Sequence, residues 1–551
     1  MDQARVIIAI VLSFLVFFLW NYFTVDQDAV QKTGEEAQIT QVEKQKEIIH
    51  EKEVSRKGPE NGSLEKIKAP EGTGRTIRVD TELYTAEISE NGAVLKSLML
   101  KKYRETIEKE SPFKELISKD IINGVCRTWS KNQSIPEMMD AVYNAETDHE
   151  EIKIVSEEQA IKFVWISSEG VTVEKEYSFS PDSYLIGLNL TIKNRSDRPL
   201  VDHLVVSIEK KFPEEASRYG FIGPSALINN KMEQIKIKKL KDKDTFEGKI
   251  NWIALQDRYF LESVIPEKMD DARVRILQHE GGLLESRLIT EMKNINPGQA
   301  KRFVFDIYFG PKSMKVLKGM NNGLDKAVNF GMFDILAKPC LWLMNFLYGF
   351  IPNYGIAIII LTVITKLLLW PLGNKSYRSM GEMKKIQPLM AELREKYKDD
   401  KKRMNQELMS LYKVYKINPM GGCLPMVVQI PVFFALYRML YQAIELRHAP
   451  FFLWINDLSA PDRLMHFDFS IPFMEPPYGI PVLTIVMGAT MFLQQKLTPS
   501  PGDPAQAKMM MFMPIIFTVI FINFSSGLVL YWLINNILSI AQQHYIQKKM
   551  A

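Results

Sequence analysis

The chain has 551 residues, of which 24% are charged, with a formal net charge of +4 and a mean hydropathy of −0.10. This small net charge gives little indication of nucleic-acid binding, and three widely separated cysteines imply no disulfide framework. No histidine lies in an HExxH motif or a zinc-type Cys/His spacing, and no GxxxxGKS/T loop is present, so the sequence shows no metal site and no sign of nucleotide hydrolysis.

The first apolar segment is a leader, Val6–Phe23, with the sequence VIIAIVLSFLVFFLWNYF. A helix of that length extends about 27 Å, close to the roughly 30 Å of a hydrocarbon core. A cleaved signal peptide is the alternative, but no clear small-x-small cleavage site follows the run. Arg5 precedes it, whereas Asp26 and Asp28 follow it, which favours a cytoplasmic N-terminus. We therefore predict a transmembrane anchor over residues 1–24.

A polar segment and a β-rich region come next. Residues 25–70 mix Glu, Lys and Gln with few large apolar side chains, which predicts a flexible linker. From Ile77 the hydrophobic pattern alternates with a period of two, and the alternation returns at Val171–Asn194. Many short strands with turn signals between them predict a β-sandwich domain over residues 71–312. Nothing in this domain alone indicates a chemistry.

The second half of the chain is densely apolar. Residues 326–350 contain Asp334, Lys338 and Pro339 among apolar side chains, which favours an amphipathic interfacial helix over a crossing one. Five further spans follow, and with the leader they make six. They are predicted near residues 354–372, 424–443, 479–495, 509–524 and 526–544.

The charges of the loops orient these spans. Residues 375–417 are rich in Lys and Arg, whereas the loop from Glu445 to Tyr478 has only Arg447 and Arg463 against five acids. Because positive residues favour the cytoplasmic side, we expect both termini and the 375–417 segment in the cytoplasm, with the β domain on the other side.

Residues 375–417 are predicted to form an antiparallel helical hairpin, with its turn at Asp399 and Asp400 and with Pro388 starting or kinking its first helix. Its basic side chains either dock to anionic lipid, ribosomal RNA or another protein, or form a solvated face without a partner. The docking candidates are Lys384, Lys385, Arg394, Lys401, Lys402 and Arg403.

Lys366 is a charged residue within the apolar segment Tyr354–Leu372. Such a charge costs a few kcal/mol even on gentle scales, so it marks function by default. It lies about 4.5 Å from the midpoint of the segment, so a lysine that merely snorkels towards the interface is the alternative. Thr362, one turn away on the same face, and Gln429 on the next span favour a water-filled cavity in the inner half of the bilayer.

Several motifs closely resemble the YidC family of membrane protein insertases. They are ITKLLLWPL, IQPLMAELREKYK and the runs Asn418–Leu440, Ile444–Ser459 and Phe512–Trp532. The resemblance covers about residues 326–545, and the leader, linker and β domain are similar to the long form found in Gram-negative inner membranes. It implies an α-helical polytopic membrane core at residues 313–551, with six transmembrane helices including the N-terminal one. It also implies a periplasmic β-supersandwich similar to sugar-mutarotase folds.

The function that this resemblance implies is insertion and folding of inner-membrane proteins, alone or with the Sec translocon. A hydrophilic groove open to the cytoplasm and to lipid would carry it out, without a catalytic residue, a cofactor or a metal, so we expect no enzyme. The implied partners are nascent membrane proteins, with the Sec translocon, the ribosome, the signal recognition particle receptor and anionic lipids as further ones, and no DNA.

The resemblance also assigns residues to the groove. The family's basic groove residue is most often arginine, and Lys366 stands at that position here, so the charge is kept but bidentate pairing with a carboxylate is lost. Six other residues match family positions: Thr362, Gln429, Tyr531 and Trp532 in the groove, and Phe433 and Met513 on an apolar slide.

Two other functions stay open from the residues alone. A polar pocket among helices also suits a small-solute transporter or channel, although the two halves show no inverted repeat. A membrane-tethered carbohydrate-binding or carbohydrate-processing protein is the other alternative. It would need convergent acids and bases in the β domain, which a sequence does not reveal.

Overall fold

The computed structural model describes residues 74–212, 220–267, 272–415, 424–498 and 504–550. All of them belong to one compact unit, Ala69–Ala551. The anchor predicted at residues 1–24 and the linker predicted at residues 25–70 lie outside the described residues.

The first part of this unit is built from short strands. In chain order they are β1 (Thr76–Asp80), β2 (Tyr84–Ser89), β3 (Val94–Arg104), β4 (Phe113–Glu115), β5 (Arg127–Ser130), β6 (Asn144–Ala145), β7 (Glu151–Lys153), β8 (Gln159–Ile166), β9 (Val171–Phe179), β10 (Leu185–Asn194), β11 (His203–Lys211), β12 (Gly223–Ile228), β13 (Lys231–Gln234), β14 (Thr245–Glu247), β15 (Ile250–Gln256), β16 (Phe260–Pro266), β17 (Ala272–Gln278), β18 (Leu283–Glu291) and β19 (Ala300–Pro311).

These strands form three sheets. The largest has nine strands in the order β13-β12-β15-β16-β19-β10-β9-β8-β6, and the two five-stranded sheets have the orders β4-β3-β2-β1-β7 and β14-β17-β18-β11-β5. Strand pairing is antiparallel apart from β1 with β7. The nine-stranded sheet packs through β15 and β16 against the sheet that contains β11 and β18, so the core lies between two sheet faces.

The alternation predicted over Val171–Asn194 is present in strands β9 and β10. Every second side chain of β10, from Ile186 to Ile192, is fully buried. Strand β10 pairs with β9 so that Ile186 lies opposite Phe179 and Leu188 lies opposite Tyr177. Because opposite residues of an antiparallel pair share a face, these apolar side chains form one continuous layer of the core.

Three charged side chains, the buried Lys210 and Glu262 and the half-buried Asp257, meet where β11 faces β16. The Lys210 ammonium lies 2.9 Å from Asp257 Oδ2 and 2.8 Å from Glu262 Oε1. The other carboxylate oxygen of Asp257, Oδ1, accepts hydrogen bonds from the backbone N–H groups of Tyr259 and Phe260, at 2.8 and 2.7 Å. The ion pairs therefore fix the turn that follows β15.

That turn contacts the helical part of the chain through Arg258. Its guanidinium donates to the Tyr441 carbonyl at 2.6 Å and to the Ser459 carbonyl at 3.3 Å, and it lies 3.8 Å from the centre of the Tyr441 ring. In the opposite direction, Arg447 donates to the carbonyl of Arg104 at the end of β3. Two arginines thus join the β domain to the helices.

The second part of the unit is helical, with one short two-stranded sheet. Its helices are α1 (Met314–Gly319), α2 (Asp334–Phe350), α3 (Tyr354–Leu368), α4 (Trp370–Lys396), α5 (Lys401–Val414), α6 (Leu424–Gln442), α7 (Val482–Leu497), α8 (Pro504–Phe521) and α9 (Ser526–Met550), and the two strands are β20 (Leu464–Phe467) and β21 (Tyr478–Ile480).

The boundaries of the helices differ from the predicted ones at several points. Two short 3₁₀ turns, Leu324–Ala327 and Gly331–Phe333, precede α2, so the helix predicted at 326–350 begins only at Asp334. Helix α8 begins at Pro504 rather than near residue 509, and α9 continues to Met550 rather than ending near residue 544.

The span predicted at residues 354–372 is broken. Helix α3 ends at Leu368, α4 begins at Trp370, and the two are bent by 65°. Pro371 accounts for the break, because a proline at the first turn starts a new helix but cannot continue an old one. The first helix of the hairpin therefore begins at Trp370 rather than at residue 375, and Pro388 lies inside it.

The helices differ in whether their length and hydropathy are sufficient to cross a bilayer. Among the described residues, no single helix is both long enough and apolar enough to cross a bilayer, whereas the bent pair α3 and α4 meets the requirement together.

The loop between α6 and α7 is held by two buried charges, Asp462 and Arg463. The Asp462 carboxylate accepts from the backbone N–H of Thr484 at 3.3 Å, in the first turn of α7. Arg463 donates to the carbonyls of Pro477 and Ile522, at 2.9 and 2.8 Å. Because the partners of Arg463 lie before α7 and after α8, it joins both ends of this helix pair to the loop.

We expect that replacing Lys210 with methionine lowers the free energy of unfolding of the full chain by about 3 kcal/mol or more, because the Asp257 and Glu262 carboxylates lose the cation that compensates their burial. Denaturant unfolding of the detergent-solubilised protein, followed by tryptophan fluorescence, measures this.

The next residue, Lys211, offers a matched control. Its ammonium lies 2.7 Å from Asp120 Oδ2, but both side chains are about half exposed, at 46% and 62%. Replacing Lys211 with methionine should therefore cost less than about 1 kcal/mol. Equal losses in the two variants would contradict a structural role for the buried ion pairs.

Candidate functional site

A polar cavity lies among helices α3, α4, α6 and α9. Its volume is about 40 Å³, counted as the space that the centres of water molecules can occupy, and it is partly open to solvent. Its lining combines one lysine with amides, hydroxyls and apolar side chains, and no acid belongs to it within the described ranges. The lining residues are Thr365, Lys366, Leu369, Leu372, Gly373, Tyr377, Gln429, Val432, Tyr531, Asn535 and Gln542.

The Lys366 ammonium has a specific partner in this cavity. Its Nζ donates to Ser539 Oγ at 2.7 Å, and Ser539 Oγ donates to the Asn535 carbonyl, also at 2.7 Å. Tyr377, from α4, lines the same cavity. Lys366 is half-buried and Ser539 is 3% exposed, so the hydrogen-bond partner of the ammonium lies inside the protein.

Gln429 of α6 and Tyr531 of α9, two of the predicted groove residues, both line this cavity. The cavity therefore has a cationic wall at Lys366 and a neutral polar wall at this pair.

Gln542 holds the bend between α3 and α4 against α9. Its side-chain amide donates to the Trp370 carbonyl at 3.2 Å and to Asn374 Oδ1 at 3.1 Å. A Cβ atom at Gly373 would lie 2.8 Å from Gln542 Nε2, so a side chain at this position would displace the Gln542 amide from its hydrogen bonds. The bend at the cavity is thus packed directly on α9.

Thr362 and Trp532 do not line the cavity, contrary to the prediction. Thr362 is fully buried and its hydroxyl donates to the Ile358 carbonyl at 2.6 Å, so its own helix satisfies it, while Thr365 contributes to the lining instead. Trp532 packs away from the cavity, edge-on to Phe433 at 4.6 Å between ring centres.

The two predicted slide residues lie on different helices. Phe433 of α6 belongs to an aromatic cluster that also contains Trp532 and, from α8, Phe521. Met513 is half-buried on α8. The same helix exposes a row of large apolar side chains, consisting of Met511, Phe512, Ile515, Ile516, Val519 and Ile520.

The hairpin carries most of its predicted docking residues on its surface. Lys384, Lys385, Lys402 and Arg403 are exposed, and Arg394 is half-buried. The side chain of Lys401 lies outside the described part of the structure.

The two helices of the hairpin pack through an apolar seam. Ile386 and Met390 of α4 contact Leu408 of α5, and all three are buried. Asp400 caps α5 by accepting from the Arg403 N–H at 2.9 Å, which places the turn where the sequence predicted it. The basic residues are therefore carried on a structured element.

Sequence reasoning missed Ser539, Tyr377 and Gln542. A signal existed on α9, because Asn535, Ser539 and Gln542 recur at intervals of four and three residues on one face of the helix. The partner of Lys366 is 173 residues away along the chain, which is why the local pattern around Lys366 did not indicate it.

Metal binding receives no support from this architecture. Over the described residues, no group of three or more His, Cys, Asp or Glu side chains is arranged to hold a metal ion.

Comparison with known proteins assigns the chain to a family. Residues 76–343 match the family model described as YidC periplasmic domain, and residues 346–551 match the model described as 60Kd inner membrane protein. The Membrane protein insertase YidC of Syntrophus aciditrophicus is 43% identical over 477 residues, covering 86% of this chain and 85% of the relative. That of Syntrophobacter fumaroxidans is 38% identical over 564 residues, covering 99% and 100%. The chain belongs to the YidC family of membrane protein insertases.

Family membership settles the general function. As a YidC-family protein the chain inserts proteins into the bacterial inner membrane, has a periplasmic domain and is not an enzyme. Its substrates are nascent membrane proteins. A crystal structure titled "Active YidC insertase crystal structure with the first transmembrane domain resolved" aligns over 86% of this chain and 93% of that chain, with a TM-score of 0.37 and 18% identity. That score is too low to add to the assignment.

Labelling of cysteines placed at two threonine positions of α3 tests whether the cavity holds water. In a background without Cys126, Cys340 and Cys423, we expect a charged maleimide to label Thr365→Cys roughly tenfold or more faster than Thr362→Cys, because only a hydrated thiol ionises to the reactive thiolate. Labelling in native membranes, followed by gel shift, measures the rates. Equal rates would contradict a water-filled cavity.

Proposed function

We propose that this insertase moves the polar end of a substrate across the inner half of the bilayer through the cavity around Lys366. The carrying observation is an ammonium that faces a polar cavity, with a neutral serine as its partner and no acid among the described lining residues. A lysine ammonium has three N–H donors, so a substrate carboxylate can bind beside Ser539. The attraction gives acidic tails a favourable binding site in a region where charges are otherwise energetically costly.

Insertion of this kind needs no external source of free energy such as nucleotide hydrolysis. Transferring about 20 apolar residues from water to lipid is favourable by several kcal/mol or more on insertion scales. The barrier comes from the short polar tail that has to cross with them. A cavity that hydrates the tail part of the way lowers that barrier, so the protein acts on the rate and not on the final equilibrium.

The apolar part of the substrate leaves the groove along α6 and α8. The aromatic cluster around Phe433 and the exposed apolar row beginning at Met511 support this route, since both offer contact without hydrogen-bonding demands. Met513, between them on α8, adds a flexible side chain that adapts to substrates of different shape.

The arrangement of the whole chain follows from the loop charges. We place an anchor at residues 1–24, a linker at 25–70, a β-supersandwich at 71–312 in the periplasm and the insertase core at 313–551. Six crossings then put both termini and the 375–417 hairpin in the cytoplasm.

The exposed basic residues of the hairpin support docking to polyanionic or acidic surfaces at the cytoplasmic face. Lys384, Lys385 and Arg403 are available for anionic lipid, the ribosome or the signal recognition particle receptor. In the proposed mechanism the groove opens sideways to lipid, which is compatible with this protein acting together with the Sec translocon.

Replacing Lys366 with alanine is expected to slow insertion of acidic-tailed substrates roughly three- to tenfold, because the tail loses a partly desolvated ion pair. Lys366→Glu should slow them further through repulsion. Reconstitution into liposomes with a one-span substrate, followed by protease protection, gives the rates.

Two arms control this measurement. Lys366→Arg keeps the charge and should retain most of the rate, and a substrate with a neutral tail should be affected little by any of the three variants. Equal slowing of acidic and neutral tails would show that Lys366 serves packing.

We expect that the β domain is dispensable for insertion through the groove. Removing residues 76–311 breaks the Arg258 and Arg447 contacts, but water can hydrate the carbonyls that Arg258 leaves at the outer surface. Reconstituted protein without these residues should keep more than about half of its insertion rate, because the cavity lies wholly in the helices. Complete loss with the helical core still folded would contradict this.

A further inference from the structure

Ser539 is the partner that the structure gives to the groove lysine. It lies on α9, is 3% exposed and accepts from Lys366 Nζ at 2.7 Å. The hydroxyl proton of Ser539 is engaged in a different hydrogen bond, because Ser539 Oγ donates to the Asn535 carbonyl one turn earlier. A hydroxyl has one donor and two acceptor sites, so this internal bond leaves its lone pairs to the ammonium. The serine is thereby oriented as an acceptor.

The chemistry of this partner matters for a residue that has to bind carboxylates. A buried Asp or Glu in its place would form an ion pair with Lys366 and compete with the carboxylate of a substrate. A serine fixes the ammonium without neutralising it. Since a lysine side chain has many rotamers, this fixation also reduces the conformational entropy that substrate binding would otherwise cost.

The position of Ser539 is itself held by neighbouring contacts. Gln542, one turn further along α9, binds Trp370 and Asn374 at the bend where α3 gives way to α4. Tyr377 of α4 lines the cavity together with Lys366 of α3. The distance between Ser539 and Lys366 is therefore set by the packing of three helices.

We propose that Ser539 is a positioning residue for the insertion reaction, which holds the Lys366 ammonium towards the cavity and sets the preference for acidic tails. This role rests on the proposed function of Lys366 as the site that attracts them. Ser539 acts through Lys366, so its contribution should exist only while the lysine is present.

A double-mutant cycle in reconstituted full-length protein tests this role. Ser539→Ala should slow insertion of an acidic-tailed one-span substrate about three- to tenfold, which is the scale of the net contribution of one typical hydrogen bond. It should leave a neutral-tailed substrate unchanged. In a Lys366→Ala background, the same serine replacement should have no further effect on either substrate.

A second pair of variants separates the hydroxyl from packing. Ser539→Thr keeps the hydroxyl and Ser539→Val replaces it with a methyl group of similar size, so both strain the helix contact equally. The threonine variant should retain the ratio of acidic-tail to neutral-tail rates, and the valine variant should lose it. As a control, Ser526→Ala removes another buried serine of α9, whose hydroxyl donates to the Ala460 carbonyl at 2.7 Å, and should leave the ratio unchanged.

The outcomes distinguish the two proposals. If Lys366→Ala discriminates between tails but Ser539→Ala and Ser539→Val do not, the positioning role is overturned and the function of Lys366 stands. If Ser539→Ala is as harmful in the Lys366→Ala background as in the unmodified protein, Ser539 serves helix packing and the inference is again overturned. If Lys366→Ala itself fails to discriminate, the proposed function falls and the positioning role falls with it.

Discussion

The helical core depends on the requirement that a charge within an apolar layer have polar partners. Lys366 lies in a segment that is otherwise apolar on both sides, and its ammonium is bound by a hydroxyl from α9. The other polar groups of the region, at Gln429, Tyr531 and Gln542, are arranged around the same space. Without them the lysine would be as costly as any isolated charge in hydrocarbon, so the cavity and the charge require each other.

The chemistry of lysine, as opposed to arginine, decides how that requirement is met. A guanidinium brings five donors in a rigid fork and can share them among several acceptors, whereas an ammonium is a compact charge on a flexible stem. The lysine thus depends more on its surroundings for orientation, and Ser539 supplies that orientation here. The bend at Pro371 contributes as well, because Gln542 of α9 binds Trp370 and Asn374 beside it and so fixes α9, which carries Ser539, against α4.

The sequence indicated those features of the site that depend on single residues, and it missed those that depend on distant contacts. A charge in an apolar run pointed to Lys366, and motif resemblance brought Gln429 and Tyr531 to the same cavity. Helical spacing put Thr362 on the face of Lys366, but spacing does not reveal depth, and Thr362 binds its own helix. In the β domain the alternating pattern predicted strands such as β10, yet the sheet order joins β10 to β19 across more than a hundred residues, which no local pattern encodes.

The two ends of the helical core are stabilised by different means, and this difference gives the groove a direction. At the periplasmic end, Arg258 and Arg463 donate to backbone carbonyls, whose positions are fixed by the fold, so the contacts there are rigid. The cavity, by contrast, is lined by side-chain amides and hydroxyls that can exchange partners with water or with an entering chain. An end closed by backbone contacts resists opening, whereas an end lined by exchangeable side chains accepts a polar guest at little cost. In the proposed mechanism a substrate tail can therefore enter from the cytoplasm and be held halfway, and its apolar segment then has only the lipid side on which to continue.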